Sequence, residues 1–431
     1  MLTAFIVLLS LECVVIFVWA LAQRERVIQY PFLATAVFVG WVLPQIIGLS
    51  VYNNIPGSGL EKTTIMAILC LGAIWLGYNW NPAPTGLLWW RLDRRRLVIG
   101  SVALCAIGGY FAYRVSLLAA TATADTGGQW TGIITIYEFF SHLIAVGMAI
   151  ALVVHLKRPS WSTLIILLLC GAFYADRIII KGRRAAMVEI AVYAIMALRF
   201  QRQFVPPRTL VVLVCVASAL LVNSIGEYRG VMLGEDRTTW SGAGIGDIFK
   251  IDFIGNFSRN LTGERGNFEV TNAAMNIEAT SRLSHYDFGL SLWNGIVDRF
   301  VPGQWIGSDV KQAMKADIDD PAYSMFRYQP MVGSTNTGLT DTFASFWYFG
   351  ALEFLAVGLF MGAWYRAAAG GNVAAQIVIM LTMTGALESI THSMEEFVSG
   401  VFVLCLFLLP VFVYARVAAP GYRGLAASRP G

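Results

Sequence analysis

The chain has 431 residues, of which 57% are hydrophobic and only 13% charged, against roughly 25% charged residues in soluble domains. That composition excludes a soluble domain built around one large core, and a net charge of +4 gives no reason to invoke nucleic acid. Apolar runs recur from end to end, each close to the about 20 residues that a helix needs to cross a bilayer core.

In chain order, eleven candidate spans follow one another: 2–22, 31–52, 62–79, 97–119, 132–155, 161–181, 185–200, 208–225, 341–365, 373–390 and 396–415. The first, "LTAFIVLLSLECVVIFVWALA", has no basic stretch ahead of it and no small-residue cleavage site behind it. It reads as a retained span rather than a signal peptide. All six cysteines (Cys13, Cys70, Cys105, Cys170, Cys215, Cys405) fall inside the spans, as small apolar residues rather than a disulfide framework or a thiolate zinc site. No fixed-period repeat is present, which argues against a repeat-built transporter. The chain therefore divides into spans one to eight (1–225), a long polar segment (226–340), and three further spans with a tail (341–431).

Orientation follows from the bias of Lys and Arg toward cytoplasmic loops. With the N-terminus outside, fifteen cations fall on the cytoplasmic side: Arg24, Arg26, Arg91, Arg94, Arg95, Arg96, Lys157, Arg158, Arg199, Arg202, Arg208, Arg366, Arg416, Arg423 and Arg429. The short external segments carry five, Lys62 and the group Arg177, Lys181, Arg183 and Arg184. The expectation is an N-terminus outside and a C-terminus inside.

Four external cations thus crowd one hairpin, "YADRIIIKGRRAAMVE" (174–189), against the insertion bias. If the helix continues through it, Arg177, Lys181 and Arg184 fall at i, i+4 and i+7, on one stripe. Ionisable groups at membrane depth usually line a polar cavity or a functional path, whereas a bland alternative has them snorkelling to lipid headgroups. An anion site is the better reading, because the planar fork of arginine suits bidentate phosphate binding.

The segment 226–340 carries 10 basic and 14 acidic residues, so it is no general polyanion surface. "LSLWNGIVDRF" (290–300) spaces Leu292, Trp293, Ile296, Val297 and Phe300 as an amphipathic interfacial helix. "VPGQWIG" turns, and "SDVKQAMKADI" (308–318) reads as a short helix capped by Ser308 or Asp309. "MVGSTNTGLTDTFASFWYFGALEF" (331–354) leads from a Gly/Ser/Thr-rich loop into the ninth span.

Four stretches, "DRIIIKGRRAAMVEI", "GEYRG" (226–230), "DRFVPGQWIGSDVKQAM" (298–314) and "GSTNTGLTDTFASFWYFGALEF" with its Phe349-Gly350 pair, resemble bacterial oligosaccharide repeat-unit polymerases, the O-antigen or capsule polymerases of the Wzy type. The likeness covers roughly 175–355. It implies an all-α polytopic fold of about 11 transmembrane helices with a large, partly helical external loop, of the multi-span (GT-C-like) glycosyltransferase type shared by O-antigen polymerases and ligases. The implied activity joins undecaprenyl-pyrophosphate-linked oligosaccharides on the periplasmic face of the bacterial inner membrane. A chain-length regulator and a flippase are the implied partners, besides membrane lipids.

Transfer from a lipid pyrophosphate needs positive charge where the leaving group forms, and fixed donors there contribute several kcal/mol. Arginines can supply this without a metal ion or cofactor, and neither is expected. Arg183 and Arg184 are the leaving-group candidates, with Arg177 and Lys181 in support and Arg229, Arg299, Lys311 and Arg327 as further substrate-binding cations from the loop. For the base that accepts the hydroxyl proton, Glu227 beside Arg229 and His285 in "SRLSHYDFG" are the candidates; Asp341 reads as a helix N-terminal acid. The "DID" within "KADIDDP" (315–321) mimics a metal-holding acidic motif but sits at a helix end. Intramembrane Glu12, Glu138, Glu189 and Glu353 read as structural or cavity-lining acids. A ligase-like glycan transferase and a lipid-linked oligosaccharide flippase are the alternatives.

Overall fold

The computed structural model describes residues 1–51, 55–80, 90–119, 133–180, 183–232, 245–248, 250–262, 268–330 and 334–417. Among them the fold is all-helical, with one isolated bridge between Leu92 and Arg416. Among the described residues nine helices are long and apolar enough to cross a membrane: α1 (Leu2–Ala22), α2 (Tyr30–Val51), α3 (Gly59–Asn79), α4 (Arg94–Leu118), α5 (Ile133–Lys157), α6 (Trp161–Ile179), α16 (Gly338–Ala369), α17 (Val373–Thr391) and α18 (Met394–Ala415). The protein is a multi-pass membrane protein.

Two of the eleven expected spans fall short of that standard. α7 (Arg184–Arg202) carries Arg184, Glu189, Arg199 and Arg202, and only Arg208–Leu221 of α8 (Arg208–Met232) is apolar. Both nevertheless run the height of the bundle. Arg199 near the end of α7 pairs with Glu25 at 2.8 Å, beyond the C-terminal end of α1. Arg208 at the start of α8 donates to Ala22 O at 3.2 Å, while Tyr228 near its end donates to Ile179 O at 3.1 Å. Arg199, the buried one of these charges, is tolerated because it faces Glu25 rather than lipid.

α17 is the most enclosed of the nine, with 78% of its apolar window buried, and α2, α5, α7, α16 and α18 pack around it. Tyr30 OH on α2 donates to Ala386 O on α17 at 3.0 Å. α3 and α16 pack closely along two glycines: a Cβ on Gly77 would stand 2.3 Å from Leu355 O and one on Gly358 2.6 Å from Ile74 O. Gly358 and Gly362 form a GxxxG pattern, and small residues let backbones approach where lipid offers no hydrophobic drive. Phe349-Gly350 has a related explanation. α16 breaks at Trp347 (φ 55°, ψ −141°), and a Cβ on Gly350 would meet Thr342 O at 1.8 Å.

The cations of one end satisfy helix-terminal carbonyls, which carry the negative pole of each helix. Arg26 donates to Trp19 O at 3.0 Å, Arg96 to Tyr414 O at 3.1 Å and Arg366 to Tyr78 O at 2.9 Å. At the other end, here the loop end, lie α9 (Ile245–Ile248), α10 (Phe253–Thr262), α11 (Phe268–Leu283), α12 (Leu290–Phe300), α13 (Gly303–Ile306), α14 (Ser308–Ala313) and α15 (Pro321–Phe326).

α12 matches the expected 290–300 and lies on α18 and α16. Its Phe300 meets Phe139 and Phe402, both with ring centres 5.5 Å away, so its apolar face packs on the bundle. α14 is shorter than expected, and Gly307 rather than Ser308 or Asp309 is its N-cap, without a side-chain cap bond; the chain enters at φ 97°, a conformation open to glycine. α11 was not anticipated. It packs on α2, α3, α15 and α16, and its Glu278 accepts hydrogen bonds from Lys62 (2.9 Å) and Arg282 (2.7 Å). Burial pushes the Glu278 carboxyl up, but those two hydrogen bonds outweigh it and hold the group below its ordinary value.

Candidate functional site

The hairpin at 174–189 does not continue as one helix. Asp176–Ile180 widens into a π turn, a distortion frequent at functional sites. Arg183 is then extended (φ −82°, ψ 109°), and its N–H donates to Arg177 O at 3.0 Å. The expected stripe of Arg177, Lys181 and Arg184 is therefore broken. Instead Arg177 and Arg183 converge on one oxygen: Glu138 Oε1 of α5 accepts from Arg177 Nη2 at 2.8 Å and from Arg183 Nη1 at 2.6 Å. Arg177 is only 8% exposed and stands over Phe173, 5.3 Å from the ring centre. Lys181 and the side chains of Arg184 and Arg229 lie outside the described residues.

One turn along α5, His142 Nδ1 is 2.8 Å from Glu138 O; a carbonyl only accepts, so Nδ1 carries the proton. His142 is an electrostatic neighbour of Arg177, Glu138 and Glu189. Glu189 on α7 accepts from Tyr193 OH at 2.7 Å. Across the cluster, Arg299 of α12 grips Glu396 of α18 as a fork, at 3.0 and 2.8 Å, with Glu395 at 3.5 Å. Burial opposes the charge on Arg299, but Glu396 and Glu395 more than compensate and raise its pKa, which keeps it cationic. Glu388 near the end of α17 has Glu396, Glu189 and Arg299 as its charged neighbours.

The loop at 334–337 closes one side. Asn272 Nδ2 of α11 donates to Ser334 Oγ and Thr335 O, both at 3.0 Å, and Thr335 Oγ1 donates to Thr391 O at 3.3 Å. Thr391 Oγ1 lies 2.8 Å from His392 Nδ1. Asp341 caps a helix other than its own, accepting from the Met394 N–H of α18 at 3.0 Å. The result is a polar cluster, built by α5, α6, α7, α12, α17 and α18, at the end of the bundle that carries the long segment.

Of the sequence candidates, Arg177, Arg183 and Arg299 meet in this cluster. Lys311 does not: it donates to Asp298 O at 2.8 Å in the loop segment. Arg327 is exposed, over Tyr323 with 5.3 Å to the ring centre. Glu227 accepts from Asn256 at 2.5 Å, fastening α8 to α10, and His285 is exposed in the turn between α11 and α12. Asp317 and Asp319 are exposed, while Asp320 caps α15 through Tyr323 N–H at 3.0 Å. Among the described residues no group of three His, Cys, Asp or Glu side chains is placed to hold a metal ion.

Sequence reasoning missed the role of Glu138 and passed over His142, Glu388, His392 and Glu396. A signal was present for the first pair, since Glu138 and His142 are four apart on one helix face; Glu388, His392 and Glu396 keep the same spacing but straddle the turn between α17 and α18. A groove of about 420 Å³ lined by Leu8, Leu11, Glu12, Val15, Ile16, Ile68 and Trp75 lies elsewhere, between α1 and α3; its apolar walls offer little chemistry, and the charged cluster is the better candidate site.

No protein-family model matches the chain, and no curated protein and no solved structure is similar enough to it to match.

Proposed function

We propose that the protein is a membrane glycosyltransferase of the repeat-unit polymerase kind, joining undecaprenyl-pyrophosphate-linked oligosaccharides on the periplasmic face of the bacterial inner membrane. The observation that carries this reading is the convergence of Arg177 and Arg183, at 2.8 and 2.6 Å, on Glu138. Two guanidinium groups held together at the loop end, inside a membrane bundle, are suited to the charge of a pyrophosphate leaving group. Glu138 orients them in the absence of substrate. The resemblance of 175–355 to Wzy-type polymerases, with its implied GT-C-like fold, supports the same reading, and the long segment supplies surface for oligosaccharide beside the cluster.

The test uses purified protein and one lipid-pyrophosphate oligosaccharide as both donor and acceptor. A polymerase yields a ladder, and does so with divalent metals chelated. A ligase yields no ladder until a separate acceptor is added. A flippase forms no glycosidic bond under either condition, and that result would overturn the proposal.

A further inference from the structure

We infer that Glu388 takes the proton from the acceptor hydroxyl, an assignment that rests on the glycosyl-transfer reading above. Every other carboxylate of the cluster is committed to a partner. Glu138 is held by Arg177 and Arg183, Glu396 and Glu395 by Arg299, and Glu189 by Tyr193. Among the described residues, the Glu388 carboxylate has no ion pair or side-chain hydrogen bond, and the residue is half-buried.

An unpaired carboxylate at the loop end of α17 keeps both oxygens open to an acceptor hydroxyl. Two carboxylates, Glu189 of α7 and Glu396 of α18, face it together with Arg299 of α12, and Tyr193 of α7 stands close by. One turn further along, the backbone N–H of His392 donates to the Glu388 carbonyl at 2.8 Å, the last helical bond of α17. His392 closes α17 at the loop end, which puts Glu388 one turn from that end. His285, exposed in its loop, and Glu227, bound to Asn256, are not so placed.

In the step, the acceptor oxygen bonds to the anomeric carbon as the bond from that carbon to the pyrophosphate oxygen breaks. The pyrophosphate leaves with the electron pair, toward Arg177 and Arg183, and the hydroxyl proton moves to Glu388. Loss of a positioned base typically costs 10²–10⁴-fold in rate.

The experiment compares wild type, Glu388→Gln, Glu388→Asp and Arg183→Ala in the purified polymerisation assay. Glu388→Gln is expected to lower kcat by about 10²–10⁴-fold with KM for the lipid-linked substrate unchanged, and Glu388→Asp to recover part of the rate. A Gln variant as active as wild type, in a preparation where Arg183→Ala is inactive, overturns the assignment while leaving the parent reading intact. A wild type that forms no glycosidic bond overturns both. A second readout needs no variant: an apolar carbodiimide should modify Glu388 in the wild-type protein, mapped by mass spectrometry, and lipid-linked oligosaccharide should suppress the adduct. Modification of Glu388 that substrate does not suppress also overturns it.

Discussion

Arg183 Nη1 stands 2.6 Å from Glu138 Oε1 although the two residues are 45 positions apart, and the same oxygen takes Arg177 at 2.8 Å. One carboxylate therefore bridges two cations and leaves a positive charge over. Removing it leaves them facing each other, so Glu138→Gln should lower stability by about 1–3 kcal/mol, the partial exposure of Arg183 moderating the loss. Thermal unfolding in detergent measures this. An unchanged midpoint would mean that the pair is not a structural joint.

The same pair makes a sharper prediction on activity. Arg183→Ala should abolish product at normal expression, and Arg183→Lys should rescue poorly, because an ammonium is a point charge without the fork. Arg184→Ala is expected to behave likewise. Full activity in both Ala variants would reduce the hairpin to a lipid anchor.

Orientation can be read with single cysteines. His285 and Arg95 are both exposed, at opposite ends of the bundle. In intact cells His285→Cys should react with an impermeant thiol reagent and Arg95→Cys should not. The opposite pattern would invert the topology drawn from the Lys and Arg bias.

Glu278 provides a pH test. Its carboxyl is held below its ordinary value of 4.5 by Lys62 and Arg282, against the opposing effect of burial. A depressed folded-state pKa contributes stability that is present above the unfolded value and lost as pH falls through the folded one. The midpoint difference between wild type and Glu278→Gln should hold steady above about pH 5 and shrink below about pH 4. A difference that grows on acidification contradicts the ion-pair account of how α11 is held to α3.

The glycine seam is testable by contrast. A Cβ on Gly358 would stand 2.6 Å from Ile74 O, whereas one on Gly400 meets nothing within 4 Å. Gly358→Val should cost about 1–3 kcal/mol by overpacking α3 against α16. Gly400→Ala, in an open helical position, should raise stability by about 0.5–1 kcal/mol. Equal effects would remove the argument for close backbone contact.

Hydropathy alone located the nine helices among the described residues that are long and apolar enough to cross a membrane, because an apolar helix of bilayer length is a local property; α7 and α8, also expected as spans, fall short of that standard. The amphipathic spacing of Leu292, Trp293, Ile296, Val297 and Phe300 likewise sufficed to place α12 at 290–300, and the cation crowding at Arg177 and Arg183 marked the loop end as the place to look. α11 escaped notice because its buried face mixes Ala273, Ala274 and Ile277 with Asn272, Asn276 and Glu278, leaving no clean apolar stripe. What the arginines do was also out of reach. Arg299 and Glu396 lie 97 positions apart, and only the packing of α12 on α18 brings them together. The break at Asp176–Ile180 decided that Arg183 turns to Glu138 instead of continuing a helical stripe, since a register change between two helices depends on what each packs against. Local pattern determined where the helices and charges are; long-range pairing of acids and cations in a medium that offers them little water decided which of them form a site.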